Sequence, residues 1–183
     1  GAHPHDNMEI ISIPLEGDLA HKDSEGNGSI IKRGDVQIMS AGTGIFHSEK
    51  NPNQDAPVNF LQIWVFPKKR NIAPRYEQKT FPKAARINQL QTVVSPDGGD
   101  AVWINQDAWF SLGTLDAGFQ TTYTLHRPQS GVYAFVIEGS VQIAGQSLAR
   151  RDGLGVWETE EISIMAQTAA EILLLEVPMH ASA

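Results

Sequence analysis

Cysteine is absent from the 183 residues. That excludes disulfides, thiolate nucleophiles and Cys-ligated zinc or iron–sulfur sites, and leaves any metal to histidine and carboxylate. No apolar run approaches the ~18 residues of a membrane-spanning helix, so no membrane role is expected. Basic residues are few, 14 Lys and Arg against 21 Asp and Glu, for a net charge of −7. Phosphate backbones are bound by clustered cations. The one short basic run, Lys68-Lys69-Arg70, reads as a solvated loop, and direct nucleic-acid binding is not expected. No window sustains a 3.6-residue apolar period; at most a short helix is expected between Pro82 and Leu90. With no secretory leader pattern, the expected location is the cytoplasm. The chain starts at Gly1 rather than a methionine and runs at once into a strand, so a native segment is expected to precede it.

What is present is a 41% hydrophobic sequence made of short strand-like runs. Met8–Ile13, Leu19–Lys22, Ser29–Lys32, Val36–Met39, Phe60–Phe66, Thr121–Leu125, Tyr133–Ile137, Val141–Ile143 and Ile172–Val177 are the clearest. Glycine turns separate them, among them Glu16-Gly17-Asp18, Arg33-Gly34-Asp35, Glu138-Gly139-Ser140 and Arg151-Asp152-Gly153. Many short strands between such turns predict an all-β sandwich or barrel. The turns also repeat. Ile13-Pro14-Leu15-Glu16-Gly17, a hairpin and Gly34 in the first half answer Phe135-Val136-Ile137-Glu138-Gly139, a hairpin and Gly153 in the second. Two copies of one β-unit are therefore expected, over residues 1–80 and 81–183, the proline-rich stretch from Lys68 to Asp100 holding the connector.

His3 and His5 stand two residues apart, as do His47 and Glu49. Residues i and i+2 of a strand share a face, so two strands could each aim a ligand pair at one cation. Three imidazoles and a carboxylate suit a borderline divalent ion such as iron, manganese, copper, nickel or zinc. Four ligands leave two octahedral positions for oxygen or substrate. His21 is expected on a solvated hairpin and His180 in a terminal tail. Trp64, Trp103, Trp109 and Trp157 are expected in the core. Met39 and Phe46 flank the candidate site as possible pocket residues.

His3-Pro4-His5-Asp6-Asn7-Met8-Glu9 with Leu15-Glu16-Gly17 resembles the first cupin motif. Gly34 through Ser40-Ala41-Gly42 to His47 and Asn51 resembles the second. The string Met39-Ser40-Ala41-Gly42-Thr43-Gly44-Ile45-Phe46-His47-Ser48-Glu49 is similar to the pirin family, and Pro74-Arg75-Tyr76-Glu77-Gln78 and the degenerate second repeat extend the likeness along the chain. The resemblance implies two tandem cupin-type β-barrels, of the double-stranded β-helix or jelly-roll kind. The N-terminal one is expected to be shortened by roughly fifty residues, which would leave His3 near a fraying end.

It also implies one metal ion, most commonly Fe2+, on His3, His5, His47 and Glu49. Glu9 lies where other cupins place a carboxylate ligand and is expected beside the site. Counting from the repeated glycines pairs His3 and His5 with Leu125 and Arg127, and His47 with Ala166. The second barrel should therefore lack a metal, with His126 one residue out of register. The implied activity is iron-dependent ring cleavage of a flavonol such as quercetin by O2, Glu49 (or Glu9) accepting the hydroxyl proton. The resemblance equally implies a non-catalytic regulator whose iron state controls a protein partner, and a cupin could also serve only as a small-molecule binder. A monomer or weak dimer is expected.

Overall fold

Short antiparallel strands shape the structure, a computed structural model that describes residues 1–179. His180 lies outside the described residues. The chain divides into two units, one of Gly1–Phe81 with Pro96–Gln106, the other of Pro82–Ser95 with the chain from Asp107 onward. The sequence division placed residues 96–106 in the second barrel, and the structure corrects this. Arg75 donates to the Trp103 carbonyl (2.9 Å), the Trp103 amide donates to Glu77 (3.1 Å), and the Lys79 ammonium reaches the Gly99 and Ala101 carbonyls (both 2.7 Å). No helix among the described residues is long and apolar enough to cross a membrane. The short helix expected after Pro82 is a single 3-10 turn, Lys83–Arg86.

In the first unit the strands are β1 (His3–His5), β2 (Glu9–Glu16), β3 (Leu19–Asp23), β4 (Gly28–Ile31), β5 (Asp35–Ser40), β6 (Ile45–Lys50), β7 (Asn59–Val65) and β8 (Arg75–Thr80). They form two antiparallel sheets ordered β1-β6-β3-β4 and β7-β2-β5-β8. β6 turns Ile45 and His47 inward and Phe46 outward, as a two-residue period requires. Ile45 packs with Ile10, Met39 and Ala41 in one buried apolar cluster.

The chain continues through β9 (Leu90–Ser95), β10 (Val102–Trp103), β11 (Trp109–Leu115), β12 (Gln120–Thr124), β13 (Ser130–Glu138), β14 (Val141–Ile143), β15 (Gln146–Leu148), β16 (Gly153–Val156), β17 (Glu161–Ala166) and β18 (Ala170–Pro178). In the second unit β12-β17-β14-β15 repeats the order of β1-β6-β3-β4, and β18-β13-β16 repeats β7-β2-β5. The repeat read from the turns is thus a repeat of topology. Among the described residues neither unit closes its hydrogen bonding into a ring; each is two sheets enclosing an interior.

The two Glu-Gly turns match in detail. Gly17 (φ 70°) and Gly139 (φ 79°) both hold the left-handed conformation. A Cβ at either would stand 2.2 Å from a carbonyl oxygen, of Pro57 or of Ala169. The later turns match two residues away from the expected register. Asp35 accepts from the Lys32 amide and Asp152 from the Ala149 amide, both at 2.9 Å, so Gly34 answers Arg151 (φ 71°) rather than Gly153.

Candidate metal centre

β1 and β6 pair with His3 opposite His47 and His5 opposite Ile45. That register sends both histidines of β1 to the side occupied by His47. The Nε2 atoms of His3 and His47 lie 3.0 Å apart, and the three ring centroids are 4.5–4.9 Å from one another. One nitrogen from each of His3, His5 and His47 falls within 4.8 Å of the others. Glu49, the inward neighbour on β6, accepts from the Ser12 hydroxyl (3.0 Å) and from the Gln62 amide. It groups with His47 and with His21, the residue opposite it across the β3–β6 ladder.

Burial and neighbouring imidazoles favour the unprotonated forms of His47 and His5. Burial, with His3, His5 and His21 beside it, pushes the pKa of His47 down to about 4. Burial and His3 lower that of His5, against the pull of Glu49. Neutral imidazole is the form that binds a metal. The buried Nε2 of His5 has no hydrogen-bond partner among the described residues, and the Nε2 atoms of His3 and His47 face each other at 3.0 Å. Imidazole lone pairs that converge in this way fit a cation well.

The surroundings revise several expectations. His21 is not on a solvated hairpin; it is 3% exposed, inside the unit on β3. Its Nε2 lies 3.1 Å from Asp23 Oδ2, and its ring is 5.4 Å from that of His47 and 5.0 Å from Tyr76. The signal was in the sequence, since His21 and Asp23 have the same two-residue spacing as the ligand pairs. Phe46 is 58% exposed and cannot line a pocket, because it alternates with His47 on β6. Met39 does face the interior.

Glu9 is also corrected. It precedes Ile10, which faces the interior, so Glu9 points to the opposite side of the sheet. There it accepts from Ser40 (2.8 Å) and from the Asn105 amide (3.2 Å). Burial raises its pKa, against those two hydrogen bonds and Arg75.

Of the tryptophans, Trp109 is buried, and Trp103 is half-buried beneath the Arg75 guanidinium at 4.6 Å. Trp157 is exposed. Trp64 is 55% exposed, with its ring edge-on to His5 at 5.1 Å. Sequence reasoning missed Trp64, Ser12 and Gln62 because strand β7, which brings two of them, lies far along the chain from either motif.

Ladder register also identifies the true counterparts in the second unit. Tyr123 pairs with Ile162 as His3 pairs with His47, and Ile143 pairs with Ile164 as His21 pairs with Glu49. On this register His5 answers Leu125, and Arg127 and Ala166 are not the counterparts. Tyr123, Ile143, Ile162 and Ile164 are buried in one apolar cluster. His126 stacks on Trp109 (4.6 Å) and places Nδ1 2.8 Å from the buried Glu176 carboxylate.

Residues 1–65 match the family described as Pirin, and residues 92–177 match the Quercetinase C-terminal cupin domain. The chain is 38% identical over 179 residues to the quercetin 2,3-dioxygenase of Escherichia coli strain K12, covering 97% of this chain and 76% of that protein. The crystal structure of Escherichia coli YhhW superposes with a TM-score of 0.93 at 38% identity, over 100% of this chain and 77% of that one. The structure of the bacterial pirin YhhW in complex with nickel(II) superposes with a TM-score of 0.90 at 38% identity, over 97% and 76%.

Proposed function

The chain belongs to the pirin family, and from that premise we propose that its first unit is a metal-dependent dioxygenase acting on a flavonol-like aromatic, with iron as the working metal. One observation carries the reading: three imidazole nitrogens converge within 4.8 Å, with the Glu49 carboxylate next in line on the same strand face. His3, His5, His47 and Glu49 would hold the ion. A bound redox-capable divalent metal supplies a Lewis-acid centre and a route for electron density between a deprotonated substrate and dioxygen.

The protein's own residues do the rest. Glu49, kept in place by Ser12 and Gln62, is the base that takes the substrate's hydroxyl proton. Trp64 presents an exposed ring next to His5, where a planar aromatic can stack. Ile10, Met39 and Ile45 exclude water from the inner wall. A single carboxylate against a dication leaves net positive charge, which favours an anionic flavonolate.

The test is oxygen uptake and carbon monoxide release with quercetin, comparing iron-loaded chain, metal-free chain and His47→Ala. Metal-dependent turnover that His47→Ala abolishes is the expected result. Equal rates in all three preparations, or no turnover with metal bound, would rule the reading out.

A further inference from the structure

His21 is a buried imidazole that the proposed reaction does not use. Asp23 determines its hydrogen-bonding pattern. Burial opposes the charge of Asp23, but hydrogen bonds from Asn27 and His21 hold its carboxyl below the ordinary range. Both of its oxygens act as acceptors: Oδ1 takes the amides of Glu25 and Asn27 (3.0 Å each), and Oδ2 faces His21 Nε2 at 3.1 Å. An ionised carboxylate can only accept, so His21 Nε2 carries a proton; in the neutral imidazole Nδ1 is then the lone pair. That Nδ1 is buried, with no partner among the described residues.

His47 has the complementary need. Its Nε2 points at His3, on the side where the three imidazoles converge. A histidine that binds metal through Nε2 carries its proton on Nδ1 and needs an acceptor for it. The Nδ1 of His47 is buried and likewise has no partner among the described residues. A donor and an acceptor thus belong to adjacent rings, with centroids 5.4 Å apart. The second unit supplies an internal comparison. Where it has apolar Ile162 and Ile164 in place of His47 and Glu49, it also has Ile143 in place of His21. The buried polarity at this position accompanies the ligands.

We infer that His21 is a positioning residue for the metal centre: it accepts the Nδ1 proton of His47, directly or through one water, and Asp23 fixes the tautomer that lets it do so. The chain Asp23–His21–His47 then orients the Nε2 lone pair of His47 toward the ion. This rests on the metal site proposed above. It gives His21 no ligand role of its own.

Two near-isosteric substitutions separate the halves of the relay. In His21→Asn the amide oxygen takes the place of Nδ1 and keeps an acceptor toward His47. In His21→Gln the amide reaches Asp23 but leaves nothing at Nδ1. Zinc(II) affinity, measured by chelator competition, should fall about 10–100-fold in His21→Gln and recover to within about threefold of the unaltered chain in His21→Asn. Asp23→Asn, which presents an amide to Nε2 and reverses the tautomer, should behave like His21→Gln. In the zinc-loaded chain labelled with nitrogen-15 histidine, long-range nitrogen–proton correlation should show His47 protonated at Nδ1. Gln37, whose amide is also buried without a partner, is the rival acceptor. Loss of affinity in Gln37→Leu with none in His21→Gln would overturn the inference, as would a second zinc equivalent lost with His21. Equal affinity in folded His21→Gln and the unaltered chain would overturn the relay alone. No binding by the unaltered chain would overturn the metal site as well.

Discussion

His3 lies directly across the β1–β6 ladder from His47, and their Nε2 atoms are 3.0 Å apart. Two imidazoles so placed cannot both take up protons without repulsion, and His47 is buried besides. Its pKa in the folded chain, about 4, lies below the ordinary histidine value of 6.5. Between these two pH values the unfolded chain binds more protons than the folded one, so stability rises with pH across this window and is lost as pH falls through it. The His47 contribution to the melting temperature of metal-free chain should fall from pH 6.5 to 4 and stay constant above about pH 7. His47→Phe should show a shallower drop; an identical profile in both would contradict the assignment.

Glu9 makes the opposite prediction. Burial raises its folded pKa, so its contribution to stability is complete below the ordinary glutamate value and lost as pH rises through the shifted one. Glu9→Gln should lack that decline. Because Glu9 faces away from the histidines, metal affinity should be the same in this variant. Chelator competition checks it, and a tenfold loss would return Glu9 to the site.

The all-β class and the repeat were legible because glycines at Gly17 and Gly139 serve one backbone need twice. The histidine pairs were legible because a two-residue period fixes a face. Phe46 could have been excluded by that same period. Register was harder. The turns around Gly34 and Arg151 share an Asp-capped geometry but not a glycine, so counting from glycines displaced the second unit's counterparts. Cross-chain neighbours such as Ser12, Gln62 and Trp64 depend on β2 and β7 pairing, which no local pattern reveals. The polar strand β8 offered no apolar alternation to read.

Trp64 is more than half exposed, so removing it should leave the fold intact. Stacking on an aromatic ligand contributes about 0.5–1.5 kcal/mol, and Trp64→Ala should therefore raise KM for quercetin about two- to tenfold. Its melting temperature should stay within a degree or two of the unaltered chain, since surface substitutions shift stability by only about 0.5 kcal/mol. Steady-state oxygen uptake measures the first and a thermal melt the second.

Gly17→Ala and Gly139→Ala each drive a methyl group against a backbone carbonyl at a left-handed position. Each should cost more than about 1 kcal/mol. Denaturant midpoints measure this, and a loss well below that in either variant would contradict the shared geometry of the two turns.

The central claim is that His3, His5 and His47 bind one ion together. X-ray absorption at the nickel edge, on chain loaded with one equivalent of nickel(II), tests it most directly. The account predicts three imidazoles in the coordination shell, falling to two in His5→Ala. A shell of oxygen ligands with one imidazole or none, unchanged by that substitution, would contradict it.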